Sequence, residues 1–384
     1  MNLSLIPLFL AFGLAGDPPQ FEEQTIDHQV KIGYGLAIGD VDGDGKPDIL
    51  LADKNQFVWY RNGDWKRFVM VENLTASDNV SITARDIDGD GKVEVAVGAQ
   101  WNPGETSDLE KSGSVHYLVR PEDPTQAWTP IQLHHEPTVH RMRWVKTGKD
   151  RYQLIVLPLH GRGNQNGEGA GVKVIAYEMP PDAEQEWKYF TIDESMHLTH
   201  NLELIEDGDV ERLLIGGKEG VKSFSFSNDK WQPSASGEWL VQNRGFGELR
   251  AGQFAGKTFM AGIEPMHGNL LTIHTFTDDE PLRTVIFSEL NQGHALGVAD
   301  LLGSGHDQIV AGWRNPNEKG KVGIKLFIPQ NQEMTAWEEF WLDENGMACE
   351  DLQLADLNGD GKIDIIASGR ATNNLKIYWN KNGD

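Results

Sequence analysis

Three stretches of this chain carry, in the same order, the residue types of a calcium loop. The first is Asp40-Val41-Asp42-Gly43-Asp44-Gly45-Lys46-Pro47-Asp48, with carboxylates of Asp40, Asp42, Asp44 and Asp48 at positions one, three, five and nine and the Lys46 carbonyl at position seven. Oxygens at that spacing converge on one hard cation, and Gly43 and Gly45 let the backbone turn around it. The second copy supplies Asp86, Asp88, Asp90, Lys92 and Glu94, and the third Asp356, Asn358, Asp360, Lys362 and Asp364. Ca2+, or a similar oxygen-seeking cation, is the expected occupant of all three. A fourth copy, Asp300 to Gln308, has lost most of its ligands.

The elements that position these loops are strands. Leu36 and Ile38 alternate before the first loop and Ile49-Leu50-Leu51 follow it, so the cation sits in a turn between two strands and not in an EF-hand. Taking the first ligand as a phase mark, strand, polar turn and strand recur at 40, 86, 145, 206, 253, 300 and 356, which counts seven units. Each unit adds two later strands, as in Phe57-Val58-Trp59-Tyr60 and Arg67-Phe68-Val69-Met70. Four strands per unit make a propeller blade. The seventh unit has three, whereas Phe21 to Ile26 is an orphan strand at the other end. The expected fold is therefore all-β, a seven-bladed β-propeller over residues 17–384 closed by pairing of the N-terminal strand with the last blade, which removes an exposed sheet edge.

A second chemistry follows from that frame. The innermost strand of each blade ends at the calcium turn, so its start lies at the opposite rim. Residues five or six before the phase marks include Tyr34, His140, His200 and His294. Twelve histidines in 384 residues predict about 0.2 at seven equivalent positions, so three at one rim are informative. Three neutral imidazoles can hold zinc or another divalent metal with a position left open. Loops after the second strands return to this rim with Trp101, His160, Arg162, His267, Trp313, Arg314 and Arg370, and loops before the inner strands add His28, His134, His135, His197 and Glu350. Tryptophan faces stack on sugar rings, arginine pairs with carboxylate, and histidine moves protons, so the expected ligand is a carbohydrate or oxidised sugar.

Composition narrows the partners. A formal charge of -24 argues against nucleic acid. The single cysteine, Cys349, excludes a disulfide framework or a Cys-based zinc site. Residues 3 to 15 are apolar but too short to span a bilayer and end in small residues, which reads as a signal peptide over residues 1–16 and a secreted or periplasmic protein. Oligomeric state is not legible.

The repeated loop resembles the FG-GAP or VCBS-type calcium-binding repeats of β-propellers, also seen in integrin heads. More narrowly, the stretches His135 to Trp144 and His160 to Gly169 are similar to the propeller domain of aldos-2-ulose (1,5-anhydrofructose) dehydratases, with ulvan-acting propeller lyases a more distant comparison. That resemblance implies a carbon-oxygen lyase acting on a carbohydrate by metal-assisted β-elimination. Chemistry then assigns His140, His200 and His294 to the metal, His160 or His135 to the base, and Tyr34 to protonation of the leaving oxygen. Arg162, Arg314, Trp101 and Trp313 would hold substrate. The residues equally allow a non-catalytic binding propeller that uses the same rim for recognition.

Overall fold

Short apolar strands separated by polar turns pair into seven antiparallel sheets in a computed structural model that describes residues 18–234, 239–276 and 281–383. The leader expected at residues 1–16 lies outside the described residues. Among those described there is no α-helix, and none long and apolar enough to cross a membrane. The sheets are blades numbered in chain order. Their inner strands are Gly35–Gly39, Ser81–Arg85, Val139–Gly148, Thr199–Asp207, Leu249–Phe254, Gly293–Ala299 and Cys349–Ala355. Each inner strand packs beside those of the two neighbouring blades, and the seventh meets the first, so the ring is closed.

Closure uses the two chain ends. Phe21–Asp27 is the outer strand of blade 7 and pairs antiparallel with Asn374–Asn380, Phe21 opposite Asn380 and Thr25 opposite Lys376. The apolar cores lie between blades, where Trp59, Phe57 and Val95 join blades 1 and 2, and Trp313, Phe327 and Ile273 join blades 5 and 6. Blade 4 departs from the four-strand plan. Its third strand, Gly220–Ser227, is flanked by two short strands, Lys230–Pro233 and Trp239–Gln242, each covering half of it.

Blade 3 corrects the phase read from the sequence. Its inner strand runs on to Gly148 and turns at Lys149 and Asp150, four residues past the mark at Val145. A two-residue turn has replaced the nine-residue loop, and the strand has lengthened to reach it.

Candidate functional site

In four blades the inner strand carries one residue more than its partner. Val139 faces Pro158 and Arg141 faces Leu157, so His140 between them has no partner. His200 stands in the same place between Thr199 opposite Gly217 and Asn201 opposite Gly216. His294 and Glu350 repeat the arrangement in blades 6 and 7. A β-bulge of this kind re-aims a side chain out of the regular alternation. All four bulged residues are buried at the same end of the channel.

The imidazoles are oriented by the backbone of the next blade. Nδ1 of His140 lies 2.9 Å from the His200 carbonyl, Nδ1 of His200 2.9 Å from the Gly247 carbonyl, and Nδ1 of His294 2.5 Å from the Glu350 carbonyl. A ring nitrogen facing a carbonyl must be the donor, which leaves each Nε2 with a free lone pair. Burial holds His140 and His294 well below the ordinary histidine range, and lowers His200 too, so all three are neutral near pH 7.

The nitrogens that meet belong to His200, His267 and His294, whose ligand atoms all lie within 4.8 Å of one another. Nε2 of His200 is 2.8 Å from Nε2 of His267, a separation that requires a shared proton or a shared cation. This corrects the set expected from sequence, which held His140 in place of His267. The His140 ring is 4.6 Å from that of His200 and 5.1 Å from Trp101, but it lies outside the three-nitrogen group. Blade 5 has no bulge, because Leu249 pairs directly with Gly262. Its imidazole comes instead from the turn between the second and third strands, where His267 takes φ of 52°. Gly247 makes room for that turn, since a Cβ there would stand 3.1 Å from the His267 nitrogen. Loss of solvation and the neighbouring His200 and Arg314 hold His267 down to about 2.

Around the imidazoles sits a ring of charge. Glu350, fully buried, accepts from Arg314 at 3.3 Å and from Arg370 at 3.2 Å. Arg370 also lies over the Tyr34 ring at 5.4 Å, and the Tyr34 hydroxyl donates to Asp78 at 3.2 Å. Burial, with Asp78 and Glu350 adding to it against Arg370, pushes Tyr34 up to about 12, so it stays protonated at neutral pH. Next to the imidazoles Arg141, Arg143 and Arg250 are set against Glu203, Glu248 and Asp351.

The remaining expected residues divide. Trp101 stands beside His140 and is partly exposed, and Arg314 is buried against Glu350. Trp313 is not a substrate platform: it is fully buried, packs at a tilt against Phe287 and Trp341, and donates to the Lys321 carbonyl. As the last residue of its strand it alternates into the core. Arg162 grips Glu136 through two bonds of 3.0 Å. His160 bridges to Leu198 at the start of the blade-4 inner strand, and its Nδ1 has no hydrogen-bond partner. The charges near His135 are those of Glu136, Glu110 and Arg162, none of which belongs to the imidazole group.

The loops at the far face share one fold. In each, the first Asp accepts from the nitrogens of positions four and six, as Asp40 does from Gly43 and Gly45 at 2.7 Å, Asp86 from Gly89 and Gly91, and Asp356 from Gly359 and Gly361. Oxygens of Asp40, Asp42 and Asp48 gather within 4.8 Å, as do those of Asp86, Asp88 and Asp90. The ninth residue is also a brace. Asp48, Glu94 and Asp364 are buried and accept from Val41, Ile87 and Leu357 respectively, and burial pushes Asp48 and Glu94 up to about 7. Adjacent loops touch: Val93 donates to the Asp40 carbonyl, and the Asn62 amide donates to the carbonyls of Pro47 and Leu357.

Residues 40–97 match the family model of the FG-GAP-like repeat, and residues 112–277 match that of the aldos-2-ulose dehydratase β-propeller domain. Aldos-2-ulose dehydratase of Phanerodontia chrysosporium is 23% identical over 309 residues, covering 73% of this chain and 33% of that protein, so the chain spans about a third of its relative's length. Among solved structures, the crystal structures of BBS1N in complex with ARL6DN, soaked with mercury or with lead, give TM-scores of 0.57 and 0.55 at 11% identity. They cover 94% of this chain and 97% or 96% of theirs, a likeness of fold alone.

Proposed function

We propose that this propeller is a carbohydrate-acting lyase or dehydratase whose reaction takes place at the channel mouth. The observation that carries the reading is the convergence of His200, His267 and His294, whose ligand atoms lie within 4.8 Å of one another. Similarity to the aldos-2-ulose dehydratase propeller supports the substrate class. Three neutral imidazoles fit a borderline divalent cation such as Zn2+, since two Nε2 lone pairs already point into the gap and backbone carbonyls fix the tautomers of His200 and His294. A cation held there would polarise a substrate carbonyl and stabilise the negative charge that gathers on its oxygen.

The chain's own groups supply the rest. His160, neutral because burial lowers it, is the group this reading assigns to take the proton next to the carbonyl. The electron pair of the broken C–H bond forms the new C=C bond and expels the oxygen on the neighbouring carbon. Tyr34, whose hydroxyl donates to Asp78, gives that oxygen its proton, and the proton taken by His160 returns to Tyr34 through solvent once the product has left. Arg314 and Arg370 bind substrate oxygens, and Trp101 offers a ring face at the mouth. In this reading Ca2+ fills the loops of blades 1, 2 and 7 as a structural ion, and the protein works outside the cytoplasm, where calcium is abundant.

The test is to incubate the purified chain, loaded with Ca2+ and Zn2+, with aldos-2-uloses and uronic-acid sugars and to follow a new ultraviolet-absorbing double bond. Turnover lost in Tyr34→Phe supports the assignment. Sugar binding without turnover by any of these substrates would replace it with a binding propeller.

A further inference from the structure

We propose that Glu248 is a positioning residue for the imidazole group: a buried carboxylate that acts through His200 to strengthen its hold on a divalent transition metal. The inference rests on the metal-binding reading above. Glu248 directly precedes the inner strand of blade 5 and is 1% exposed. Its Oε1 lies 3.4 Å from Nδ1 of His200, on the side of the ring away from the metal-facing Nε2, and has no hydrogen-bond partner of its own. Oε2 accepts from the amide of Asn201, the residue after His200.

The charge is what Glu248 contributes. Ring orientation is already set by the Gly247 carbonyl at 2.9 Å, so the carboxylate is not needed to choose the tautomer. Two guanidiniums keep it ionised in the interior, Arg250 at 3.7 Å from Oε2 and Arg141 at 4.0 Å from Oε1. A negative charge this close to the N–H side of a metal-ligating imidazole favours, through space, electron density at the opposite nitrogen and makes it a better donor. The asymmetry is specific to this ring: His294, the other bulged member of the group, has a backbone carbonyl at its Nδ1. The charge that acts on it most strongly is the cation Arg314. His200 is therefore the stronger donor of the two bulged members, and Arg141 and Arg250 hold the charge of Glu248 in place.

The experiment uses the full chain with its loops saturated in Ca2+. Zn2+ affinity is measured by competition with a chromophoric chelator, and Co2+ serves as a spectroscopic probe, its visible bands reporting the ligand field. Glu248→Gln, which keeps the shape and removes the charge, is expected to weaken Zn2+ by about 10- to 100-fold and to shift the Co2+ bands, and to lower the metal-free melting temperature because Arg141 and Arg250 lose a buried partner. Equal affinity and an unchanged spectrum in this variant would overturn the role of Glu248 while leaving the metal site standing. A wild-type chain that takes up neither Zn2+ nor Co2+ beyond its Ca2+ loops would overturn the metal reading and this inference with it. Should Glu248→Gln be insoluble, Glu248→Asp decides. It keeps the charge but withdraws it by one methylene: weaker Zn2+ binding supports the proposal, and wild-type affinity overturns it.

Discussion

At the loop face each cluster of oxygens is gathered from nine consecutive residues, whereas the channel mouth draws one or more groups from every blade: Tyr34, Trp101, His140, His200, His267, His294 and Glu350. The loop carboxylates at positions three and five are largely open to solvent, and the bulged residues at the mouth are buried. A loop of the first kind can be filled or emptied by itself, with its neighbours affected only through contacts such as those of Asn62 and Val93. The second kind exists only when the ring is closed, since His140, His200 and His294 each take their orientation from the next blade. Local clusters therefore serve stability piecewise, and the shared cluster depends on the whole circle.

That contrast breaks most severely at the closure. Removing Phe21–Asp27 exposes the Asn374–Asn380 edge along its full length, and the expected outcome is loss of the monomer to aggregation, read by light scattering and size-exclusion chromatography. A truncated chain that stays monomeric and binds sugar would mean that the mouth does not need the circle. Chelating the proposed Ca2+ comes next. With three loops each occupied well above its dissociation constant, calorimetry should show melting lowered by about 10 °C or more. No change in a chain shown to be metal-free would leave the loops as polar turns.

At the mouth, His267→Ala should lower turnover by at least about 100-fold and release the transition metal, with calcium content and melting of the metal-free protein intact. A matching loss of Ca2+ would show that the two faces are coupled more tightly than their geometry implies. The smallest effect is on pH dependence. Burial holds His116, on the third strand of blade 2, down to about 4. Below about pH 6.5 the unfolded chain takes up a proton that the folded chain refuses, so stability falls as pH drops toward 4, by up to about 1.4 kcal/mol per pH unit. His116→Gln should flatten that slope by one proton in urea titrations between pH 6.5 and 4. An unchanged slope would return the acid sensitivity to the mouth histidines.

The same contrast explains what could be read from the sequence. The nine-residue motif announces both a turn and the strand before it, so blades 1, 2 and 7 and the count of seven were legible. Blade 3 was misplaced by four residues because a turn at Lys149 and Asp150 carries no ligand pattern. His200 and His294 could be found because each is the second residue of an inner strand. His267 could be placed at the rim but not in the group, because its turn position has no counterpart in other blades and the composition Pro265-Met266-His267-Gly268 signals only a turn. Trp313 looked like a rim residue because it ends a strand, yet alternation within that strand sends it inward. Glu248 gave no signal, since a single glutamate before a strand is ordinary.

The bulges carry a consequence for how such a channel changes its lining over time. In each of the four blades the partner strand runs past the extra residue without a gap, Gly217 to Gly216 opposite His200 and Trp313 to Gly312 opposite His294. Loss of one codon at His200 would let Thr199 and Asn201 pair side by side in an unbroken ladder, whereas substitution by alanine keeps the kink and discards the ring. Insertion and deletion, ordinarily the harshest mutations inside a strand, are here the gentlest way for one blade to acquire or shed a channel side chain while the other six keep theirs.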